Sequence, residues 1–292
     1  MEGHRSDRFP FPCRVSRRGT PLLHWWDRRP CVIINDPTTP RRVVGSSALG
    51  RPMFIFSESF LMSIRALVFD FNGVILDDEI VHGELFRQVL APLGVTISEE
   101  DYFRVYLGFD DRLCLETALA NHGQPAPAEL IDQLVERKAA LYLQRAEAGL
   151  PFYDQASEVV GRLCRRYPSA ICSGALRPEI ELALKRLGVL DQVRSIVAAE
   201  DVTQSKPDPE GYRLAFRQLA NQPEFCDHPL QPDEVLVIED TAMGVRSARG
   251  AGLQVVGVAT TTDPQALLEA GAFEVISRLA DYDEDWITSR FG

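Results

Sequence analysis

Hydrophobic and polar positions follow a regular pattern from about residue 64 onward. The run IRALVFDF at residues 64–71 is apolar over the length of a strand and carries an acid near its end, which is typical of a buried parallel strand. Similar runs recur at residues 169–175, 195–201, 234–240 and 253–260. Between them lie stretches with helical periodicity, at residues 155–166, 178–187, 208–221 and 242–250. The alternation predicts an α/β fold: a doubly wound parallel (Rossmann-like) sheet with helices on both faces.

One connection in this pattern is much longer than the others. It follows the first strand and carries four helical patterns, at residues 79–92, 98–106, 111–122 and 127–148, separated by glycine and proline breaks. We therefore predict a helical cap domain at residues 79–151, inserted into a core domain of residues 61–78 and 152–292. The cap is expected to lie over the carboxyl edge of the sheet, where open α/β folds bind their ligands.

The first sixty residues differ in composition from the rest. Residues 1–60 hold ten Arg, no Lys and five acids, a net charge of +5. The whole chain has a net charge of −11, so residues 61–292 carry a net charge of −16. The segment also holds seven of the nineteen prolines and shows no sustained periodicity. We expect a poorly ordered extension. The open alternative is a start codon assigned too early, with the functional chain beginning near Met53 or Met62.

Composition narrows the class of protein. A chain of 292 residues with 45% hydrophobic and 25% charged residues is typical of a soluble globular protein. The net charge of −11 argues against nucleic acid as a partner, and no apolar run is long enough to predict a membrane span. The six cysteines form no C-x-x-C pair, which favours a reducing, cytoplasmic compartment. We expect a monomer or weak dimer.

Polar residues follow four of the predicted strands. Asp70 follows the first, Ser173 the second, Lys206 the third, and Glu239 with Asp240 the fourth. The carboxyl ends of parallel strands meet at one crevice, so these side chains are expected to converge. Carboxylates hold Mg²⁺, Lys and Ser bind phosphate oxygens, and a carboxylate can attack phosphorus to form an acyl phosphate. The set therefore predicts phosphoryl transfer.

The same residues stand in recognisable motifs. The order DFNGV at residues 70–74, SG at 173–174, KP at 206–207 and ED at 239–240 resembles the haloacid dehalogenase superfamily of phosphohydrolases, in its branch with a helical cap after the first motif. Within that branch the chain is most similar to the β-phosphoglucomutase and phosphatase group. The resemblance implies Mg²⁺-dependent hydrolysis of a small phosphorylated metabolite, similar to a sugar phosphate.

The resemblance also implies roles for individual residues. Asp70 would be the nucleophile, and Ser173 and Lys206 would hold the phosphoryl oxygens. The residues implied for the metal are Asp70, Asn72 through its main-chain carbonyl, Glu239 and Asp240. The residues implied for substrate binding are His82, Arg112, Lys138 and Gly174.

Asn72 departs from the family pattern. Most members have Asp two residues after the nucleophile, where it serves as general acid and base, and an amide cannot do this at neutral pH. General acid–base catalysis is worth about 10² to 10⁴ in rate, so Asn72→Asp is expected to raise the turnover of alkyl phosphates.

Three explanations of the amide stay open. Another group, such as His82, transfers the proton; the substrate carries a good leaving group; or the protein binds a phosphorylated ligand without turning it over. A phosphosugar mutase is the remaining enzyme alternative, and the missing acid makes it less favourable.

Overall fold

The computed structural model describes residues 63–291 of the chain, so the extension predicted at residues 1–60 lies outside the described residues. Six strands form one parallel sheet: β1 (Ala66–Phe69), β2 (Ser169–Cys172), β3 (Ser195–Val197), β4 (Val235–Glu239), β5 (Gln254–Val258) and β6 (Val275–Ile276). Their order across the sheet is β3-β2-β1-β4-β5-β6. The predicted doubly wound α/β architecture is confirmed.

The strands are apolar on both faces because helices cover both faces. In β1, Leu67 and Phe69 join one apolar cluster, whereas Ala66 and Val68 join the cluster on the opposite face. Successive side chains of a strand point to opposite sides, so a strand between two helical layers needs apolar residues at every position. This explains the continuous runs in the sequence.

Four helices follow β1 and form what we call the helical segment, residues 79–148. They are α1 (Glu79–Leu90), α2 (Glu99–Asp101), α3 (Asp111–Asn121) and α4 (Ala128–Ala148), and a π-helical turn, Tyr102–Tyr106, continues α2. The segment has an apolar cluster of its own, which includes Phe86 and Leu90 of α1, Leu115 of α3 and Ile131 of α4. The inserted helices therefore occur where the sequence predicts them.

Six further helices pack against the sheet. They are α5 (Ala156–Arg166), α6 (Arg177–Leu187), α7 (Glu210–Ala220), α8 (Ala242–Gly250), α9 (Pro264–Ala270) and α10 (Glu284–Phe291). Helices α5, α6 and α10 contribute to one apolar cluster, and α7, α8 and α9 contribute to the other. None of the helices described in residues 63–291 combines the length and apolarity needed to cross a membrane.

The strand order reverses next to β1. The chain runs from β1 outward to β2 and β3 on one side and then places β4 on the other side. This is a topological switch point, where connections leave in opposite directions and open a crevice at the carboxyl ends of the two central strands. The residues that follow β1 and β4 are thus placed at the edge of this crevice.

Two glycines allow carboxylates to approach the backbone at this edge. A Cβ at Gly73, which has a φ of +76°, would lie 1.9 Å from Oδ2 of Asp240. A Cβ at Gly244, in the first turns of α8, would lie 1.5 Å from Oε1 of Glu239. Any larger residue at either position must displace a carboxylate.

We predict that Gly244→Ala lowers the free energy of unfolding by about 1–3 kcal/mol, because the added methyl group overpacks the contact with Glu239. The matched control is Gly161→Ala in α5, where the added Cβ would meet the flexible end of Arg165 at 3.3 Å. This control is expected to stay within about 1 kcal/mol of the wild type, because alanine favours the helix. Thermal and urea unfolding measure both, and equal stabilities for the two variants would contradict the prediction.

Candidate active site

An ammonium group links the ends of β1 and β4. Nζ of Lys206 lies 2.7 Å from Oδ1 of Asp70, which follows β1, and 2.6 Å from Oε1 of Glu239, the last residue of β4. Both carboxylates are buried. Burial by itself lowers the pKa of Lys206, but Asp70 and Glu239 raise it more, so the amine stays charged. Three of the side chains predicted to converge at the switch point, Asp70, Lys206 and Glu239, are in contact.

Three carboxylates surround the same point. Asp70, Glu239 and Asp240 each offer an oxygen, and these oxygens lie within 4.8 Å of one another. All three residues are buried, and Oδ1 of Asp240 has no hydrogen-bond partner among residues 63–291. An unpartnered buried carboxylate oxygen is costly unless a cation or a donor meets it. The cluster is therefore suited to hold a metal ion.

Glu239 differs from the other two carboxylates, because both of its oxygens accept several hydrogen bonds, whereas Asp70 accepts from Lys206 through Oδ1 and Asp240 accepts from the Thr261 hydroxyl through Oδ2 alone. Oε1 accepts from Lys206 and, at 3.0 Å, from the hydroxyl of Tyr212. Oε2 accepts from the main-chain nitrogens of Asp240 at 2.9 Å and Thr241 at 2.8 Å, and from the Thr241 hydroxyl at 3.0 Å. A carboxylate has about four lone-pair sites. Asp70 and Asp240 are thus the carboxylates with free capacity for a metal.

The electrostatics of the cluster point the same way. The pKa of Asp70 is raised to about 7, chiefly by burial and also by Glu239, while Lys206 opposes the shift. Burial, Glu239 and Asp70 raise the pKa of Asp240 well above its usual value. One ammonium group does not balance three buried carboxylates. A divalent cation with oxygen ligands, of which Mg²⁺ is the common example, would supply the missing charge.

A small cavity opens beside this cluster and has a volume of about 50 Å³. The residues from the sequence prediction that line it are Asp70, Asn72, His82, Ser173, Gly174 and Lys206. Its walls come from both the sheet edge and the helical segment, which supplies Glu79, Phe86, Tyr102 and Asp111. Ligand sites for small molecules usually measure about 300–1,000 Å³, so this cavity holds little more than a phosphate group.

The family follows from comparison with known proteins. The model of the haloacid dehalogenase-like hydrolase family matches residues 67–258 of the chain. The chain belongs to this hydrolase family. Validoxylamine A 7'-phosphate phosphatase of Streptomyces hygroscopicus subsp. limoneus is 29% identical over 207 residues, which cover 70% of this chain and 91% of that protein. Fructose-1-phosphate phosphatase YqaB of Escherichia coli (strain K12) is 28% identical over 192 residues, 66% and 95% of the two chains.

Solved structures agree with this family. A variant of CbbY from Rhodobacter sphaeroides, in complex with xylulose-(1,5)bisphosphate, is 26% identical with a TM-score of 0.61 and covers 75% of this chain and 96% of that one. The β-phosphoglucomutase of Clostridium difficile is 20% identical with a TM-score of 0.65 and covers 78% and 97%. At 20% identity, the similarity to the Clostridium difficile structure shows a shared fold.

Two of the expected substrate-binding residues of this haloacid dehalogenase-like hydrolase lie outside the lining of the cavity. Lys138 is fully buried in α4, where its Nζ lies 2.8 Å from Nδ1 of His82 and 2.5 Å from Oδ1 of Asp111. Arg112 is exposed and pairs with Asp132 on the helical segment. Lys138 thus contacts two residues that line the cavity, whereas the Arg112 side chain is held on the surface. Their substrate-binding roles stay predictions.

Several residues at the site of this hydrolase were not singled out from the sequence. Asp78 is fully buried and accepts a hydrogen bond from Asn72. Glu79 and Asp111 line the cavity. Thr241 caps α8, because its hydroxyl oxygen accepts a 3.1 Å hydrogen bond from the Gly244 nitrogen. The signal for Asp78 and Glu79 was present, because the stretch DDEIVH carries three acids ahead of its histidine. Acids at a helix start usually serve as caps, which hid their contact with the site.

We predict that Asp240→Asn stabilises the metal-free protein while weakening Mg²⁺ binding. The pKa of Asp240 is raised in the folded protein, so this carboxyl lowers the free energy of unfolding at every pH above its pKa in the unfolded chain. An amide at position 240 does not titrate and removes that loss. The variant should therefore unfold at a higher temperature than the wild type at neutral pH without metal. The wild type should gain about 2.7 kcal/mol from Mg²⁺ at one hundred times its Kd, and the variant much less.

The matched control for this experiment is Asp227→Asn, which changes an exposed acid. It should follow the wild type in thermal unfolding with and without Mg²⁺. Mg²⁺ stabilisation that survives intact in Asp240→Asn would rule out Asp240 as a metal ligand.

Proposed function

We propose that this protein is a Mg²⁺-dependent phosphatase of a small phosphorylated metabolite, acting through an aspartyl phosphate at Asp70. The observation that carries the proposal is the buried contact of Lys206 with Asp70 and Glu239 beside the unpartnered oxygen of Asp240. This arrangement combines a nucleophilic carboxylate, a phosphate-binding cation and a set of hard oxygen ligands at one edge of the sheet. Phosphoryl transfer depends mainly on such positioning and charge stabilisation.

In the first step, an oxygen of Asp70 would attack phosphorus as the bond from phosphorus to the ester oxygen breaks, and the leaving group would depart as its oxyanion, because Asn72 has no proton to give. Lys206 and the hydroxyl of Ser173, which both line the cavity, would bind the phosphoryl oxygens. Mg²⁺ held by Asp70, Asp240 and the main-chain carbonyl of Asn72 would neutralise the charge of these oxygens. In the second step, water would attack the phosphoaspartate and regenerate Asp70.

The helical segment is proposed to act as a cap, the predicted domain of residues 79–151. It closes the cavity with Glu79, Phe86 and Tyr102, and the remaining volume of about 50 Å³ excludes a whole metabolite. Substrate must therefore enter when the segment moves away from the sheet edge. Closure then removes bulk water, which strengthens the interactions of the charged groups with phosphate.

A sugar-like substrate is supported by the relatives. Two of them are phosphatases whose names specify a phosphorylated carbohydrate or a sugar-like compound, and the bound CbbY structure holds a sugar bisphosphate. Sequence identities of 26–29% support this class of substrate, but they do not select one compound within it. A cytoplasmic setting is supported by the buried thiols of Cys114, Cys164 and Cys172, none of which is in a disulfide.

The phosphosugar mutase remains the less favoured enzyme, because a mutase requires proton transfer in both halves of its cycle and Asn72 cannot provide it. A binding protein without turnover is the alternative outside enzymes. Incubation with sugar phosphates separates the three, since a phosphatase releases inorganic phosphate, a mutase yields an isomeric sugar phosphate, and a binding protein yields neither.

We predict that Asp70→Asn lowers Mg²⁺-dependent hydrolysis of p-nitrophenyl phosphate by at least about 10³-fold, because the nucleophile is lost while the fold is kept. The matched control is Asp77→Asn, an exposed acid on the same loop, which should retain wild-type turnover. Phosphate release is the measurement, and EDTA should abolish it in the wild type. Turnover that persists in Asp70→Asn would contradict the proposed function.

A further inference from the structure

The side chain of Asn72 has a fixed orientation. Its Nδ2 lies 2.9 Å from Oδ1 and 3.1 Å from Oδ2 of Asp78. An ionised carboxylate can only accept hydrogen bonds, so the amide must turn its nitrogen toward Asp78. Its carbonyl oxygen then points the other way, into the cavity, where it lies 3.4 Å from Oγ of Ser173. The face that Asn72 presents to a bound phosphate is therefore an acceptor.

Asp78 is itself held by donors from two other helices. The hydroxyl of Tyr142, in α4, donates to Oδ2 of Asp78 over 2.6 Å. Nε2 of His82, in α1, lies 3.3 Å from the same oxygen. Donors of Asn72, Tyr142 and His82 thus surround both oxygens and leave no acceptor nearby for a carboxyl hydrogen, so the carboxyl accepts all of these bonds as a carboxylate. Against the effect of burial, the same donors lower the pKa of Asp78.

The tautomer of His82 follows from its other neighbour. The ammonium of Lys138 lies 2.8 Å from Nδ1, and an ammonium can only donate, so Nδ1 carries no hydrogen. The hydrogen is then on Nε2, which faces Asp78. Against the effects of burial and Lys138, Asp78 and Glu179 raise the pKa of His82. A second hydrogen on Nδ1 would nevertheless point at the ammonium of Lys138, so the ring is neutral in this arrangement. Asn72 Nδ2 lies 3.2 Å from that nitrogen, and since both atoms carry hydrogens this is a contact between two donors that converge on one carboxylate. His82 in this arrangement therefore supports Asp78.

We propose that Asp78 is the positioning residue for Asn72 and that the pair restricts the enzyme to phosphate esters whose leaving group departs without protonation. This rests on the proposed phosphatase function. The acceptor oxygen of Asn72 can orient the water that attacks the phosphoaspartate, but it offers no hydrogen to the alkoxide expelled in the first step. Esters of acidic hydroxyls are the favoured class. Among sugar phosphates, the anomeric position fits best, because its hydroxyl is the most acidic of the sugar.

The contact with Asp78 changes the outcome expected for Asn72→Asp. The new carboxyl has no N–H for Asp78, so the two buried acids either repel as like charges or share one proton between them. In both cases the acid at position 72 has no free hydrogen to offer the leaving group, so the single substitution restores little. In the double variant Asn72→Asp/Asp78→Asn, the amide at 78 donates to the acid at 72, and donor and acceptor are simply exchanged.

The experiment compares four proteins, the wild type, both single variants and the double variant, on alkyl phosphates and on a series of aryl phosphates with leaving groups of graded acidity. For alkyl phosphates, each single variant should stay within about tenfold of the wild type, whereas the double variant should gain about 10²-fold or more in kcat/KM. The dependence of kcat/KM on leaving-group acidity should be steep in the wild type and shallow in the double variant. A merely structural role for Asp78 would not change this slope.

Two outcomes of the kinetics would overturn the proposal. One is that Asn72→Asp alone shows the full gain in kcat/KM for alkyl phosphates. The other is that the double variant, shown by thermal unfolding to be folded, gains no kcat/KM and keeps the wild-type dependence on leaving-group acidity. If the wild type shows no turnover that depends on Asp70, the proposed function fails, and NMR then decides about Asp78. The side-chain amide signal of Asn72, identified by its absence in Asn72→Asp, should exchange slowly with water in the wild type and faster in Asp78→Ala. Equal exchange rates would overturn the positioning role.

Discussion

Three carboxylates and one ammonium group share a buried point at the carboxyl ends of β1 and β4, and this charge imbalance is the constraint on which the site depends. The sheet topology brings Asp70 and Glu239 together, and small residues at positions 73 and 244 leave room for the acids. Glu239 is saturated by donors, so it anchors Lys206. The remaining negative charge is relieved either by protons on Asp70 and Asp240, whose pKa values are raised, or by a bound cation, and a metal-bound site is also the one that attracts phosphate.

A second buried polar cluster connects the helical segment to this site. Asp78 takes hydrogen bonds from the loop after β1, from α1 and from α4, so its donors are complete only when α4 lies in its present position. Lys138 of α4 links the same cluster to Asp111, which lines the cavity. Closure of the segment and the orientation of Asn72 are thus carried by one set of hydrogen bonds. Side chains linked in such a buried network polarise and hold one another more firmly than isolated bonds do.

Much of the fold could be predicted because its signals are local. The five longer strands and the eight helices between residues 79 and 250 follow from apolar runs and helical periodicity, whereas β6 has two residues and α9 has seven, too few for a period to be recognised. The meeting of Asp70, Lys206 and Glu239 could be predicted from the rule that parallel strand ends converge. The hydrogen bond between Asn72 and Asp78 could not be predicted, because Asp78 is held in place by a hydrogen bond from Tyr142, which lies 64 positions away in the sequence.

The most direct test of the account is the identification of the phosphorylated residue during turnover. Wild-type protein is mixed with Mg²⁺ and an aryl phosphate, quenched in acid and digested at low pH, where acyl phosphates survive, and the peptides are mapped by mass spectrometry. The account predicts phosphate on the carboxyl group of Asp70, formed only when Mg²⁺ is present. Phosphate on Ser173, or steady turnover with no phosphorylated peptide at all, would contradict it.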